Sequence, residues 1–273
     1  MALILSGKEL ARETTRSIKA MGFRGAGPGL AVVLVGDDPA SRVYVSSKEK
    51  ACGRAGIRSI RVELPADAGE EALIREVQRL NRDPDVHGIL CQLPLPPGYD
   101  RHRVASAIAP AKDVDGLHPE NVGKLWRGED GLFPCTPLGM MELLRRHDIS
   151  PHGMHGVIVG RSDIVGKPMA ALLLREHCTV TLAHSRTSDL QGLCRTADIL
   201  VAAVGRPGMI RADWVKPRAV VLDVGINRLD DGTITGDVDF AGVEPLVSAI
   251  TPDHGGVGPL TIAFLLRNTV KAW

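Results

Sequence analysis

The chain has few of the side chains that would bind nucleic acid or enter a membrane. Aromatic residues make up 3% of its 273 residues, too few for a surface that stacks bases. Lys and Arg number 33 against 32 Asp and Glu, which leaves neither a polyanion-binding stripe nor an acidic tail. No apolar run reaches the length of a membrane span, and "MALIL" is too short for the core of a secretion signal. The five cysteines, Cys52, Cys91, Cys135, Cys178 and Cys194, are odd in number and never spaced C-x-x-C. That spacing excludes a zinc ribbon and points to reduced thiols in a cytoplasmic protein. Glycine (30) and proline (18) are plentiful instead, and 44% of residues are hydrophobic. This is the composition of an α/β enzyme with many tight turns and a small-molecule ligand.

Short apolar strands alternate with polar-faced helices twice along the chain. In the first half "LAVVLVG", "IRSIRVEL" and "VHGILCQLPLP" are separated by helical patterns at 39–55 and 70–82, with another following at 101–109. In the second half "GVIVG", "TVTLAHS", "DILVAAVG" and "AVVLDVGIN" follow the same rhythm, with helices at 166–177 and 188–196 and a last one from about 259. Such alternation predicts parallel sheets covered by helices. Between the halves, 110–135 is rich in Gly, Pro and Asp and reads as irregular, and Thr136-Pro137 reads as a helix start. Ser6 and Glu9 have the spacing of a capping box. The fold class expected is α/β with two domains. A three-layer α/β unit spans 1–135, a Rossmann-type dinucleotide-binding domain spans 136–258, and the helix 259–273 packs back on the first.

The stretch "VIVGRSDIVGKPMAALL", 157–173, follows a strand with a glycine and opens a helix. In such a turn the helix N-terminus holds a pyrophosphate, and Gly160 and Gly166 let the backbone approach it. Sites for NAD place a carboxylate about 20 residues on, at the end of the second strand. Here that strand ends "LAHSRTSDL", with Ser185 and Arg186 and no carboxylate before Asp189. Arg161 and Ser185 are donors suited to a 2′-phosphate, so the cofactor expected is NADP.

In the first half, "DPASRVYVSSKEKACGRAG" reads as a helix with Asp38 at the N-cap, Pro39 at N1 and Gly56 just past its end. Helical spacing puts Ala40, Val43, Tyr44, Ser47, Lys48, Ala51 and Ala55 on one inward face. An inward lysine either snorkels or is wanted with a lowered pKa for proton transfer. Gln92 leaves a strand at the sheet's carboxyl edge, where ligands of α/β folds collect. Asp113 and Asp115 stand in the irregular loop. "TPDHGGVGPLT" sets glycines before a helix, a backbone able to lie against a flat ligand.

Taken together, "YVSSKEKACGRAGI", "GILCQLPLP", "KDVDGLHPENVGKL", "PCTPLG", "VIVGRSDIVGKPMAALLL", "DVGIN", "GDV" and "GGVGPLT" resemble, in order and over nearly the whole chain, the bifunctional methylenetetrahydrofolate dehydrogenase/methenyltetrahydrofolate cyclohydrolase family. The resemblance implies NADP-dependent oxidation of methylene-tetrahydrofolate to methenyl-tetrahydrofolate, then hydrolysis to 10-formyl-tetrahydrofolate. It implies that Lys48 is the central catalytic group, with Tyr44 stacked on the folate, Gln92 orienting Lys48 and Asp115 holding the pterin. It places Arg161, Ser162 and Ser185 on the NADP phosphates and Ile226 near the nicotinamide. Gly160, Gly166 and Gly205 would complete the cofactor site, and Gly255, Gly256, Gly258 and Pro259 would bind substrate. It further implies a homodimer through the Rossmann domain, with no metal, nucleic acid or membrane partner.

The sequence departs from the family at Asp253-His254, where Val-Pro is usual, bringing charge to a segment expected near both ligands. Two other readings stay open at this point. One is an oxidoreductase like shikimate dehydrogenase, which would want carboxylate-binding arginines near the lysine. The other is a dinucleotide-sensing module without turnover. Tyr-x-x-x-Lys also resembles short-chain dehydrogenases, but there the pair follows the dinucleotide turn, and here it precedes it.

Overall fold

The computed structural model describes every residue except Asp230. The first half of the chain forms β1 (Leu3–Ile4), α1 (Gly7–Ala20), β2 (Gly29–Val35), α2 (Pro39–Ala55), β3 (Arg58–Leu64), α3 (Glu70–Arg82), β4 (Gly88–Cys91), α4 (Arg101–Ala107) and α5 (Pro119–Arg127). The second forms α6 (Cys135–Arg146), β5 (His155–Val159), α7 (Gly166–Arg175), β6 (Thr179–Ala183), α8 (Leu190–Cys194), β7 (Ile199–Ala202) and β8 (Val220–Asp223). A short hairpin of β9 (Asn227–Arg228) and β10 (Ile234–Thr235) follows, then α9 (Phe240–Val243), β11 (Ala249–Ile250) and α10 (Gly258–Ala272). Among the described residues no helix is long and apolar enough to cross a membrane.

The chain divides into two compact units, one of residues 12–135 and 262–273, the other of residues 1–11 and 136–261. The division falls within α1 and within α10. Residues 1–11 therefore do not join the N-terminal unit, as a range of 1–135 implies. The reason is strand pairing: Leu3 and Ile4 lie parallel to Ala249 and Ile250 and extend the second unit's sheet.

In the unit containing 12–135, β2 is the middle of a parallel three-stranded sheet in the order β3-β2-β4. All seven of its residues are buried, as expected for a strand covered on both faces. Ala31, Val33 and Val35 pack with Leu73, Val77 and Leu80 of α3, while Leu30, Val32 and Leu34 are buried on the opposite face. The chain moves from β2 to β3 on one side and then back past β2 to β4. Crossovers between parallel strands are right-handed as a rule, which puts the helices of two such moves in opposite directions on opposite faces. The stretch 110–135 is less irregular than its composition suggests, since it contains α5. His118 caps that helix through Nδ1, Pro119 opens it, and Gly128 closes it in the left-handed conformation.

The second unit repeats the move on a larger scale. Its six-stranded parallel sheet runs β1-β11-β8-β7-β5-β6, so the chain steps from β5 out to β6 and then back past β5 to β7. Val157, Val159, Leu200, Ala202 and Val221 form its core with Cys194, Ala197 and Val243. Helix α6 starts at Cys135, one residue before the expected N-cap, and the Thr136 hydroxyl bonds that of Thr261 at 2.7 Å. One of the two bonds of the expected capping box is present, the Glu9 N–H donating to Ser6 Oγ at 3.4 Å.

Candidate active site

Each sheet reverses its strand order once, and at the carboxyl ends of the two strands flanking that point a crevice opens. In the smaller sheet the point lies between β2 and β4. Helix α2 follows β2, begun by Asp38, whose carboxylate accepts the Ser41 N–H at 2.7 Å, and ended by Gly56 in the left-handed conformation. Its buried face is Ser41, Val45, Lys48, Ala51, Cys52 and Ala55, linked by steps of three and four residues. This corrects the expected inward face. Lys48 belongs to it, but Tyr44 and Val43 lie beyond its border and are 46% and 67% exposed. Tyr44 stands one turn before Lys48 with its ring open to a ligand rather than packed in the core.

Lys48 is 8% exposed and Gln92 9%. The Lys48 amine donates to Gln92 Oε1 at 2.8 Å, and Gln92 Nε2 donates to the Leu93 carbonyl at 2.6 Å. The second bond settles which way the amide faces, so the amine meets a neutral acceptor. Burial lowers the Lys48 pKa, and Asp115 opposes that shift. Burial likewise raises Asp115, with Lys48 opposing. The pair thus shares a dry setting in which the amine loses its proton more readily than a solvated lysine does.

The neighbouring thiols are unfit as nucleophiles or bases. Burial pushes Cys52 up to about 11 and Cys91 up to about 12, and holds Cys135 well above the ordinary thiol range, so all three stay protonated near neutrality. Asp113 does structural work. Its carboxylate accepts the N–H groups of Leu117 at 3.2 Å and His118 at 2.8 Å and the Asn121 amide at 2.9 Å. It thereby fixes the loop that carries Asp115. Asn268 of α10 adds bonds to the carbonyls of Val114 at 2.8 Å and Phe133 at 2.9 Å.

In the larger sheet the reversal lies between β5 and β7. Gly160 ends β5 with φ 128°, and a side chain there would meet the Ala203 carbonyl oxygen at 2.2 Å. A side chain on Gly166 would meet the Gly160 carbonyl oxygen at 2.0 Å. Only glycine permits this close turn at the N-terminus of α7. Ser162 Oγ accepts from Val165 N–H at 3.2 Å and Gly166 N–H at 3.4 Å, capping α7 while keeping its own proton to donate. Arg161, Ser162, Ser185 and Arg186 are all exposed. Asp189, the first carboxylate after β6, is engaged elsewhere: it caps α8, accepting the Gly192 N–H at 3.0 Å. The turn therefore fits a dinucleotide, and the end of β6 offers hydroxyls and guanidinium rather than an acid to a ribose substituent.

Ile226 is 54% exposed after β8, in the same unit as Gly258. The segment 252–259 is partly committed to structure. The Gly255 carbonyl accepts the Lys8 N–H at 2.8 Å, and Gly256 lies so close to Gly7 that a side chain on Gly7 would meet its oxygen at 1.9 Å. Asp253 and His254 are exposed, and burial raises the Asp253 pKa, with His254 opposing. Sequence reasoning missed Asp223 and Asp237, both buried at this edge. The segments "DVGIN" and "GDV" carry them, but their partners lie in other loops.

Two family models match the chain. The tetrahydrofolate dehydrogenase/cyclohydrolase catalytic domain matches residues 5–115, and the NAD(P)-binding domain of the same family matches residues 134–273. The bifunctional protein FolD of Oceanobacillus iheyensis is 53% identical over all of this chain and 97% of its own. The crystal structure of FolD, methylenetetrahydrofolate dehydrogenase/cyclohydrolase, from Campylobacter jejuni superposes with a TM-score of 0.98 at 46% identity, covering 100% of this chain and 98% of that one. The Trypanosoma brucei methylenetetrahydrofolate dehydrogenase-cyclohydrolase, complexed with NADP and an inhibitor, gives 0.94 at 39% identity over 99% and 97%.

Proposed function

Since the chain belongs to the tetrahydrofolate dehydrogenase/cyclohydrolase family, we propose that Lys48, Gln92 and Asp115 are the working groups of its two reactions. The protein oxidises 5,10-methylenetetrahydrofolate to 5,10-methenyltetrahydrofolate with NADP and hydrolyses the product to 10-formyltetrahydrofolate. It is thus both an oxidoreductase and a hydrolase of folate one-carbon metabolism. The single observation that carries our assignment is the buried Lys48 amine, held at 2.8 Å by a neutral acceptor.

Loss of a hydride leaves a cationic methenyl carbon, so a permanently charged amine beside it would oppose the first reaction. A lysine with a lowered pKa can stand there uncharged. In the hydrolysis the same amine takes a proton from the water that attacks the methenyl carbon and gives it to N5 as the C–N5 bond breaks, while the remaining hydroxyl proton leaves to solvent and the formyl group stays on N10. Gln92 keeps the amine in place without holding it charged, as a carboxylate would. Asp115 accepts the paired N–H groups of the pterin edge, and the open ring of Tyr44 stacks on the folate.

NADP supplies the hydride acceptor when bound. The groups that would hold it are the Gly160–Gly166 turn, Arg161, Ser162, Ser185, Gly205 and Ile226. We assign the unit of residues 12–135 and 262–273 to the folate and the unit of residues 1–11 and 136–261 to the cofactor, with Gly255, Gly256, Gly258 and Pro259 bordering substrate. A homodimer through the cofactor unit is supported by its edge strand β6, beside which Leu174 and Leu182 are exposed. Five free cysteines support a cytoplasmic location.

The test is direct. The protein, mixed with methylenetetrahydrofolate and NADP, should form NADPH and a transient methenyl absorbance that decays. Neither signal appearing would overturn the assignment.

A further inference from the structure

Two buried carboxylates at the carboxyl edge of the six-stranded sheet have no part in the assignment above. Asp237 has no exposed surface, and Asp223 is 8% exposed. Asp237 Oδ2 accepts the N–H groups of Val204 at 2.6 Å and Gly205 at 3.0 Å. Its Oδ1 accepts the Arg206 N–H at 2.8 Å and the Asn227 amide at 2.9 Å. Three consecutive backbone N–H groups converging on one anion form a nest, the arrangement by which many loops hold phosphate. Gly205 makes it possible, with φ 64°. Here the anion in the nest is the protein's own side chain.

Asp223 anchors this arrangement in turn. Its carboxylate accepts the N–H groups of Gly225 at 2.8 Å, Asp237 at 3.0 Å and Val238 at 2.9 Å, and its own N–H donates to Thr251 Oγ1 at 2.8 Å. Gly225 and Asn227, the neighbours of Ile226, are thus both tied to the pair. A buried carboxylate is costly without partners, and four donors on Asp237 offset that cost.

We propose that Asp237 is a positioning residue for NADP. By filling the 204–206 nest from within, its carboxylate fixes Gly205 and Ile226 and denies that nest to phosphate, leaving the Gly160–Gly166 turn as the place for the dinucleotide's phosphates. An empty nest at the end of β7 would offer a second anion site beside the end of β5, its neighbour in the sheet. The internal carboxylate removes that competition. This inference rests on the cofactor assignment above.

The experiment compares Asp237→Ala and Asp237→Asn with the parent protein. Amide hydrogen exchange at 204–206 is followed without cofactor, NADP affinity is measured by titration calorimetry, and cyclohydrolase activity is measured on supplied methenyltetrahydrofolate. Both variants should exchange faster at 204–206 and bind NADP at least about tenfold more weakly, the scale of a lost charge-assisted contact, while the cyclohydrolase rate holds. Formate, a carboxylate small enough for the vacated nest, should restore exchange protection and NADP affinity to Asp237→Ala. Asp237→Asn keeps the shape of the side chain and carries the test where Asp237→Ala does not fold. Unchanged NADP affinity despite faster exchange, or a cyclohydrolase rate that falls as far as NADP affinity does, would overturn the proposal. A parent protein that does not bind NADP would instead overturn the cofactor assignment, so the two failures are distinct.

Discussion

The two units make the same topological move, a strand order reversed about a central strand, and fill the resulting crevice in opposite ways. In the smaller sheet the side chains at the reversal are withdrawn from solvent: Lys48 and Gln92 are buried, and beside them stand three protonated thiols. In the larger sheet the turn is glycine, and the polar side chains around it are exposed. The difference follows from what each crevice must do. A group that moves protons near neutrality has to be dried out until its pKa falls, which requires burial. A group that meets a phosphate gains most by staying charged and reachable, and backbone N–H groups do the rest.

The largest effect should come from removing the dry amine. Lys48→Met keeps the apolar stem, and cyclohydrolase activity should fall by at least about a hundredfold, the usual loss for a positioned acid or base. NADP affinity should be untouched, and part of the dehydrogenase rate should survive. Hydrolysis of methenyltetrahydrofolate at the parent rate would show that the lysine only packs. A milder change tests the dryness itself. Gln92→Glu places a carboxylate against the amine and favours its charged form, so the pH at which the hydrolysis rate rises should move upward by about one to three units. A profile that stays in place would mean that the amine does not set it.

On the open side, Arg161→Ala should weaken NADP about tenfold and leave NAD nearly unchanged. Equal losses for both cofactors would remove the guanidinium from the 2′-phosphate. The smallest effect concerns Asp223, which burial pushes from 3.8 up to about 6. Between those values the folded protein holds a proton that the unfolded chain has lost, so this group's contribution to stability declines as pH rises through that window. Asp223→Asn should flatten that part of the slope, read from urea unfolding at several pH values.

The sequence makes local features legible and hides those that depend on partners far along the chain. Asp38, Pro39 and Gly56 mark both ends of α2, and helical period brings Lys48 inward. The same period misplaces Tyr44, because residues 43 and 44 border the apolar face and packing against the sheet decides the border. Pro119 and Gly128 frame α5 as clearly as Pro39 and Gly56 frame α2, but the surrounding Gly and Asp residues mask it. The Rossmann turn and the lack of an acid after β6 are readable as spacing. The role of Asp237 is not, since its N–H donors lie up to 33 residues away and contacts between loops leave no period. The strand at Leu3–Ile4 is hidden for the same reason, paired with a segment near the other end of the chain.

The division of α10 between the units bears on how the protein is made. The unit of residues 12–135 contains Lys48, Gln92 and Asp115, yet it is completed by residues 262–273. Asn268, 154 positions after Val114, bonds that residue's carbonyl inside the core. Domains emerging from a ribosome generally fold in order of synthesis, but this one, though begun before the second unit, stays unfinished until α10 has been made after it.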